Sequence, residues 1–117
     1  MSLIILAAAL AAPSINCAKT SAQAELNECA LADLTKADAA LNDQWEITFR
    51  AFANQSPDDA SRLRTAQRAW IVYRDAECDA EHPFDIGVSL DKMLNIFCRT
   101  DLTIERTRTL AELPKDL

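Results

Sequence analysis

The side chains with the most distinctive chemistry in this chain are four cysteines, Cys17, Cys29, Cys78 and Cys98. An even number of cysteines in a short chain that begins with an apolar run is typical of exported domains with disulfides. Three pairings are possible, and pairing neighbours along the sequence would close two local loops. Each closure would stabilise the fold by about 3 kcal/mol in the chain-entropy model.

The first local pair can be tested by its reach. If a helix begins near Ser21, Cys29 lies about 12 Å along it, at a rise of about 1.5 Å per residue. The four steps from Cys17 to Ser21 can extend about 13 Å. The N-terminal segment is therefore long enough to fold back along the helix and reach Cys29.

A metal site is the alternative use of these cysteines. Cys78 and His82 stand four residues apart, on one face of a helix. Zinc takes four ligands, commonly in short paired spacings, and the other cysteines are too scattered for that. We therefore expect no metal, and we expect His82, which precedes Pro83, to be solvated at a helix end.

Catalytic groups are also not expected. The single histidine provides no Ser-His-Asp set, and oxidised cysteines leave no thiolate nucleophile. The carboxylate pairs Glu25 with Glu28 and Asp58 with Asp59 are typical of solvated helix faces. Gly87 is the only glycine, so a glycine-rich phosphate loop is excluded. The sequence predicts neither an enzyme nor a cofactor.

The start of the chain indicates export. Residues 3–12 form an unbroken apolar run, which has the length of a signal-peptide core, and Ala9-Leu10-Ala11 offers a cleavage site. We expect a signal peptide over residues 1–11, one domain over 12–117 and a periplasmic or secreted location. The net charge of −6 argues against nucleic-acid binding and against adhesion to an anionic membrane.

Three amphipathic helices are predicted, over residues 21–53, 57–80 and 89–113. Thr20 with Gln23, or else Ser21, is expected to cap the first, Ser56 before Pro57 the second, and Pro114 to stop the third. Short connections predict an all-α fold, a small antiparallel three-helix bundle with two disulfides. The expected apolar stripes are Leu26, Ala30, Leu34, Ala37, Leu41, Trp45, Thr48 and Phe52, then Leu63, Ala66, Trp70 and Tyr73, broadened by Ile71 and Val72, then Leu90, Met93, Leu94, Phe97, Ile104 and Leu110.

Polar residues near the aromatic stripe have two interpretations. Gln67 and Arg74 flank Trp70 on one face of the second helix, and Arg106 lies on the third. They are expected to form a network that sets the helix register, although contact with a ligand is the alternative. Trp45, Trp70 and Tyr73 are expected in the core rather than on a ligand platform.

Three segments resemble a known family. The first comprises Cys17-Ala18-Lys19, residues 25–30 and Leu41-Asn42. The second is residues 63–78, which include Gln67, Trp70, Arg74 and Cys78. The third is Cys98 followed by Thr103, Arg106 and Leu110. Together they resemble the N-terminal domain of the LprI-type lysozyme inhibitors, a family of exported bacterial domains. Asp85-Ile86-Gly87-Val88 stands where members commonly have paired glycines.

The resemblance implies a helical fold, local disulfides and inhibition of lysozyme in the cell envelope. Five polar residues belong to its motifs: Asn27, Asn42, Gln67, Arg74 and Arg106. We expect a binding protein that occludes the substrate cleft of a lysozyme through a loop, His82, Pro83, Phe84, Asp85 and Gly87. The alternative is an accessory envelope module that binds another protein or a small ligand.

Overall fold

A computed structural model describes residues 14–84 and 87–116. Three α-helices account for most of them: α1 (Gln23–Gln55), α2 (Pro57–Glu81) and α3 (Leu90–Glu112). A 3₁₀ turn, Leu113–Asp116, follows α3, and the described residues contain no strand. The predicted all-α class is confirmed, with helix ends within two residues of those expected. The predicted signal peptide lies outside the described residues.

Serine caps begin the second and third helices. Ser56 Oγ accepts a hydrogen bond from the Asp59 N–H at 3.0 Å, and Pro57 takes the first helical position, as predicted. Ser89 Oγ accepts from the Lys92 N–H at 3.1 Å. Each serine satisfies one of the N–H groups that a helix leaves without an internal partner, and so fixes where its helix begins.

The predicted cap of α1 is wrong. The helix begins after Ala22, which makes no side-chain cap, so neither Thr20 nor Ser21 holds the capping position. Thr20 Oγ1 instead accepts from the Ala22 N–H in the preceding turn. The Gln23 amide is directed along the helix to Asn27 Oδ1, because that buried oxygen needs a donor.

The helix directions follow from the order of the contacts between them. Along α2 and α3, Gln67 is bonded to Arg106, Arg74 to Thr103 and Cys78 to Cys98, so these helices run in opposite directions. Arg74 also pairs with Asp38, and Arg64 lies over Phe49, so α1 opposes α2 as well.

The first and third helices therefore run parallel, with a constant offset. Asn27 Nδ2 donates to the Ser89 carbonyl, and Thr48 Oγ1 donates to the Leu110 carbonyl at 2.7 Å. Both pairs are separated by 62 residues along the chain. The same register is thus held at two points, which fixes α1 against α3 by hydrogen bonding as well as by packing.

The apolar core lies among all three helices. Leu41, Leu63 and Leu110 are buried there, and partly buried neighbours surround them: Trp45, Phe49, Phe52, Trp70 and Leu113. On α1 the predicted stripe is confirmed at its buried positions, Ala30, Ala37, Leu41 and Thr48. This cluster joins α1 to the other two helices without a covalent link.

Several predicted core positions on α2 and α3 are wrong. The exposed ones are Ala66, Ile71, Val72, Tyr73, Leu90, Phe97 and Ile104. The faces that pack inward carry Gln67 and Cys78 on α2 and Asn95, Ile96 and Thr103 on α3. Hydrogen bonds between helices allow polar side chains to be buried, so counting apolar residues alone misassigns the inner face.

The cysteines form the two local disulfides. Cys17 is joined to Cys29, with Cα atoms 5.9 Å apart, and Cys78 to Cys98, with Cα atoms 5.6 Å apart. The first holds the N-terminal segment against α1, and the second joins α2 to α3. Because its sulfur is in a disulfide, Cys78 offers no thiolate to a metal.

The hydroxyl of Thr48 gives a testable contribution to stability. Pro114 has no N–H, so the Leu110 carbonyl lacks its helical donor four residues on, and Thr48 supplies one. We expect Thr48→Val to lower the free energy of unfolding by about 1–3 kcal/mol in denaturant titrations. Thr48→Ser keeps the hydroxyl donor and should lower the free energy of unfolding by less.

Thr35→Val is the matched control for this prediction. Thr35 Oγ1 bonds to the Leu31 carbonyl of its own helix in an exposed position. Its loss should change the free energy of unfolding by less than about 0.5 kcal/mol. Equal changes in the free energy of unfolding at positions 35 and 48 would show that the bond between α1 and α3 contributes no more than an exposed bond within one helix.

Candidate functional site

The bundle can be divided into two halves along its length at the height of Arg74, which contacts both other helices. Its Nη1 lies 3.4 Å from Asp38 Oδ1 on α1 and donates to Thr103 Oγ1 on α3 at 3.2 Å. The loop half comprises residues 14–38, 74–84 and 87–103, and contains both disulfides. The distal half comprises residues 39–73 and 104–114.

The negative charge is concentrated in the loop half. Its ten acidic side chains are Glu25, Glu28, Asp33, Asp38, Asp75, Glu77, Asp79, Glu81, Asp91 and Asp101. Its five basic ones are Lys19, Lys36, Arg74, Lys92 and Arg99. In the distal half, six acidic side chains are matched by six arginines. The field of the molecule is therefore polarised from one end to the other.

Three of the predicted polar residues meet around Trp70. Arg74 Cζ lies 5.3 Å from the centre of the indole ring and Arg106 Cζ 5.9 Å, both within cation–π range. Arg106 Nε also donates to Gln67 Oε1 at 2.9 Å. Burial lowers the pKa of Arg106 because it disfavours the charged form. These contacts give the group a role in holding α2 to α3.

The two predicted asparagines lie apart from that network. Asn27 is buried, donates to the Ser89 carbonyl and accepts from Gln23 Nε2, so it holds the start of α3 against α1. Asn42 is exposed on α1. The structure therefore does not bring the five motif residues into one site.

The loop after α2 is anchored by Asn95, which is completely buried. Its Nδ2 donates to the His82 carbonyl at 2.7 Å and to Asp79 Oδ1 at 2.9 Å. Its Oδ1 accepts from Arg99 Nε at 2.8 Å. One α3 side chain thus fixes the end of α2 and the first residue of the loop.

Arg99 extends this anchor by bridging two carboxylates. Its guanidinium lies 2.9 Å from Asp75 Oδ1 and 3.1 Å from Asp79 Oδ1. The hydrogen bond from Asn95, supported by Arg99, lowers the pKa of Asp79 despite the opposing effect of desolvation. The anchor therefore favours the ionised form of Asp79 at the base of the loop.

The predicted loop residues differ in their surroundings. His82 Nδ1 lies 3.7 Å from Asp91 Oδ1, while Pro83 and Gly87 are exposed. Phe84 is 48% exposed, with Lys92 Nζ 5.4 Å and Arg99 Cζ 5.5 Å from its ring centre. Asp85 lies outside the described residues. Phe84 is thus a large apolar side chain held at an acidic end.

The apolar pattern of α3 does not predict the anchor, because it does not show that the side chain of Asn95 is buried. A signal does exist in two spacings: Asp75 and Asp79 stand one turn apart on α2, as do Asn95 and Arg99 on α3. Complementary pairs close to linked cysteines indicate a polar contact between helices.

The described residues contain no group of side chains that could hold a metal ion. None of their helices is long and apolar enough to cross a membrane. They form a helical domain with two disulfides, an acidic end and an exposed loop built on a fixed base. Such an arrangement suits recognition of a partner by charge and shape.

Comparison with known proteins assigns this domain to a family. Residues 15–110 match the family described as "Lysozyme inhibitor LprI", and the chain belongs to it. The chain is also similar to an uncharacterized protein of Rhizobium meliloti (strain 1021), with 36% identity over 111 residues. That match covers 86% of this chain and 80% of the relative. No solved structure matches the chain.

The lowered pKa of Asp79 predicts a pH effect. A carboxyl whose pKa is lower in the folded state stabilises the protein at pH values above its unfolded-state pKa, which is about 3.9. That stabilisation is lost as the pH falls through the folded-state pKa. Asn95→Ala removes the main cause, so the pKa of Asp79 should rise in a carbon-detected NMR titration.

Asp59 provides an internal control in the same titration. Arg62 and the Ser56 cap lower its pKa at the other end of α2, far from Asn95. The titration midpoint of Asp59 should stay low in Asn95→Ala. A midpoint for Asp79 that does not move would show that Asn95 does not govern its ionisation.

Proposed function

We propose that this protein is exported and inhibits lysozyme by covering the substrate cleft with its loop half. The observation that carries the proposal is the concentration of negative charge around the anchored loop, in a member of the lysozyme inhibitor family. The partner is a basic lysozyme. The protein acts by binding, without catalysis and without a cofactor.

Two features support a location outside the cytoplasm. The chain has two disulfides, and disulfides form and persist in oxidising compartments such as the periplasm. The apolar run near the start has the length of a signal-peptide core. We place the mature protein in the periplasm or outside the cell, where it can meet a lysozyme.

Charge complementarity supports the proposed orientation. An acidic surface attracts a basic enzyme over distances up to the Debye length, about 8 Å at physiological salt, and raises the association rate. The excess of acidic side chains lies in the loop half, whereas the distal half is balanced. The partner should therefore approach the end that presents Phe84.

The anchored loop supports occlusion as the mechanism. Asn95 holds the His82 carbonyl, and the disulfide at Cys78 joins the two helices beneath the loop. A contact segment held in place before binding loses less entropy when the complex forms. Phe84 would be the apolar anchor, with His82, Pro83, Asp85 and Gly87 forming the remaining contact segment.

The primary test measures peptidoglycan lysis by a panel of lysozymes with the purified mature protein. We expect inhibition of at least one basic lysozyme at micromolar concentration or below. No inhibition across the panel, even at large molar excess, would overturn the proposal. If the protein instead captures another envelope protein, the accessory-module alternative is favoured.

A charge-matched pair of triple variants tests the orientation. The loop-half variant combines Glu28→Gln, Asp33→Asn and Glu81→Gln, and the distal variant combines Asp43→Asn, Glu46→Gln and Glu105→Gln. All six side chains belong to exposed residues, and both variants lose three charges. Only the loop-half variant should slow association, by about tenfold at low salt. Equal slowing would mean that only net charge matters.

The role of Phe84 is tested separately. Phe84→Ala should weaken inhibition by about tenfold or more, because truncation of a central apolar anchor typically costs more than 1 kcal/mol of binding free energy. Ile104→Ala in the distal half is the matched control, since both side chains are 48% exposed. If the two variants inhibit equally well, Phe84 is not the anchor.

A further inference from the structure

The guanidinium group of Arg99 is held by a hydrogen bond from each of its three nitrogens. Nε donates to Asn95 Oδ1 at 2.8 Å, Nη1 to Asp75 Oδ1 at 2.9 Å and Nη2 to Asp79 Oδ1 at 3.1 Å. The acceptors belong to α2 and α3, so both helices fix the position of the group. A guanidinium is planar and donates along its edges, which leaves its flat faces available to an aromatic ring.

The disulfide between Cys78 and Cys98 keeps this network in place. Each cysteine directly precedes a member of the network, Asp79 on α2 and Arg99 on α3, and the cysteine Cα atoms are 5.6 Å apart. A covalent link one residue away restrains the two helices from sliding past each other. The side chain of Arg99 is only 20% exposed. Its guanidinium therefore has a defined position before any partner binds.

The ring of Phe84 lies against this fixed group. Arg99 Cζ is 5.5 Å from the centre of the ring, which is within cation–π range. Lys92, two helical turns earlier on α3, places its Nζ 5.4 Å from the same centre. Phe84 is nevertheless 48% exposed. The ring is thus in contact with cations of α3 while about half of the residue stays open to solvent.

We infer that Arg99 is a positioning residue for lysozyme binding, because it holds the Phe84 ring in the orientation in which the enzyme meets it. The inference rests on the proposed function and adds to it the residue that prepares Phe84. An exposed phenylalanine samples several rotamers, and fixing one of them on binding costs free energy. Contact with an immobile guanidinium removes part of that cost beforehand.

Lysine cannot take over this role. Its ammonium group donates from a single atom and has no flat face, so it cannot bond three separate acceptors and also stack on a ring. Arg99→Lys therefore removes the positioning and keeps the charge. Arg108→Lys is the matched control, because Arg108 is an exposed arginine of α3 in the distal half.

The first experiment follows the Phe84 ring in the free protein by NMR. The order parameter of the ring, from ¹³C relaxation, should fall in Arg99→Lys and stay unchanged in Arg108→Lys. Circular dichroism of each variant checks that the fold is kept. Unchanged ring order in a folded Arg99→Lys would overturn the inference.

A second variant makes this measurement independent of any change at position 99. Phe84→Leu alters an exposed residue of the loop and removes the ring current that acts on Arg99. The Arg99 Hδ resonances should therefore shift in Phe84→Leu, whereas those of Arg108 should not. Arg99 resonances that stay in place would show that the ring does not lie against the guanidinium, and would contradict the inference.

The second experiment is a double-mutant cycle on a lysozyme that the protein inhibits. Arg99→Lys should raise the Kd about fivefold, the factor that corresponds to a cation–π contact at an exposed site. The salt dependence of the association rate should stay the same, because the charge is kept. In the Phe84→Leu background the same substitution should change the Kd by less than about twofold, since the ring is absent.

The cycle distinguishes failure of the inference from failure of the proposed function. An equal rise in Kd with and without the Phe84 ring would mean that Arg99 acts on the fold, and no rise at all would mean that it has no role in binding. Either result overturns the inference and leaves lysozyme inhibition intact. If no lysozyme is bound, the proposed function fails and the inference fails with it, even where the ring is ordered.

Discussion

The structure depends on the requirement that polar groups buried between helices find hydrogen-bond partners. Among the residues that the structure describes, five polar side chains are buried: Asn27, Thr48, Gln67, Asn95 and Thr103. Each reaches across to another helix or to the loop, and no buried side-chain nitrogen or oxygen in the described residues lacks a partner. Apolar packing is tolerant of small sliding movements, whereas these bonds are directional and specify one register.

The predictable part of the fold is the part governed by local signals. Ser56-Pro57 starts a helix because of its own side-chain and ring geometry, and the cysteine spacings permitted both local disulfides. The inner faces of α2 and α3 were not predictable in this way. Asn95 and Thr103 are buried because they meet hydrogen-bond partners on α2 and in the loop that follows it, whereas Phe97 is exposed.

The candidate site also has a part that local sequence signals predict and a part that depends on contacts between distant segments. The sequence predicts the loop around Phe84 as a contact segment and gives the total charge of the chain. It does not predict the Asn95 anchor beneath the loop or the end of the bundle at which the acidic residues accumulate. Both depend on which helix ends lie together. The acidic residues of α1, α2 and α3 accumulate at one end only because α1 and α3 run parallel while α2 opposes them. Charge polarity is thus a property of topology.

The parallel register of α1 and α3 also has a consequence for the order of folding. Contacts of α1 with α2 and of α2 with α3 can form within helical hairpins, at little cost in loop-closure entropy. The bonds of Asn27 and Thr48 span 62 residues and require the intervening hairpins to be in place. Loop-closure entropy alone therefore favours a folding order in which α1 closes onto α3 after the hairpins have formed.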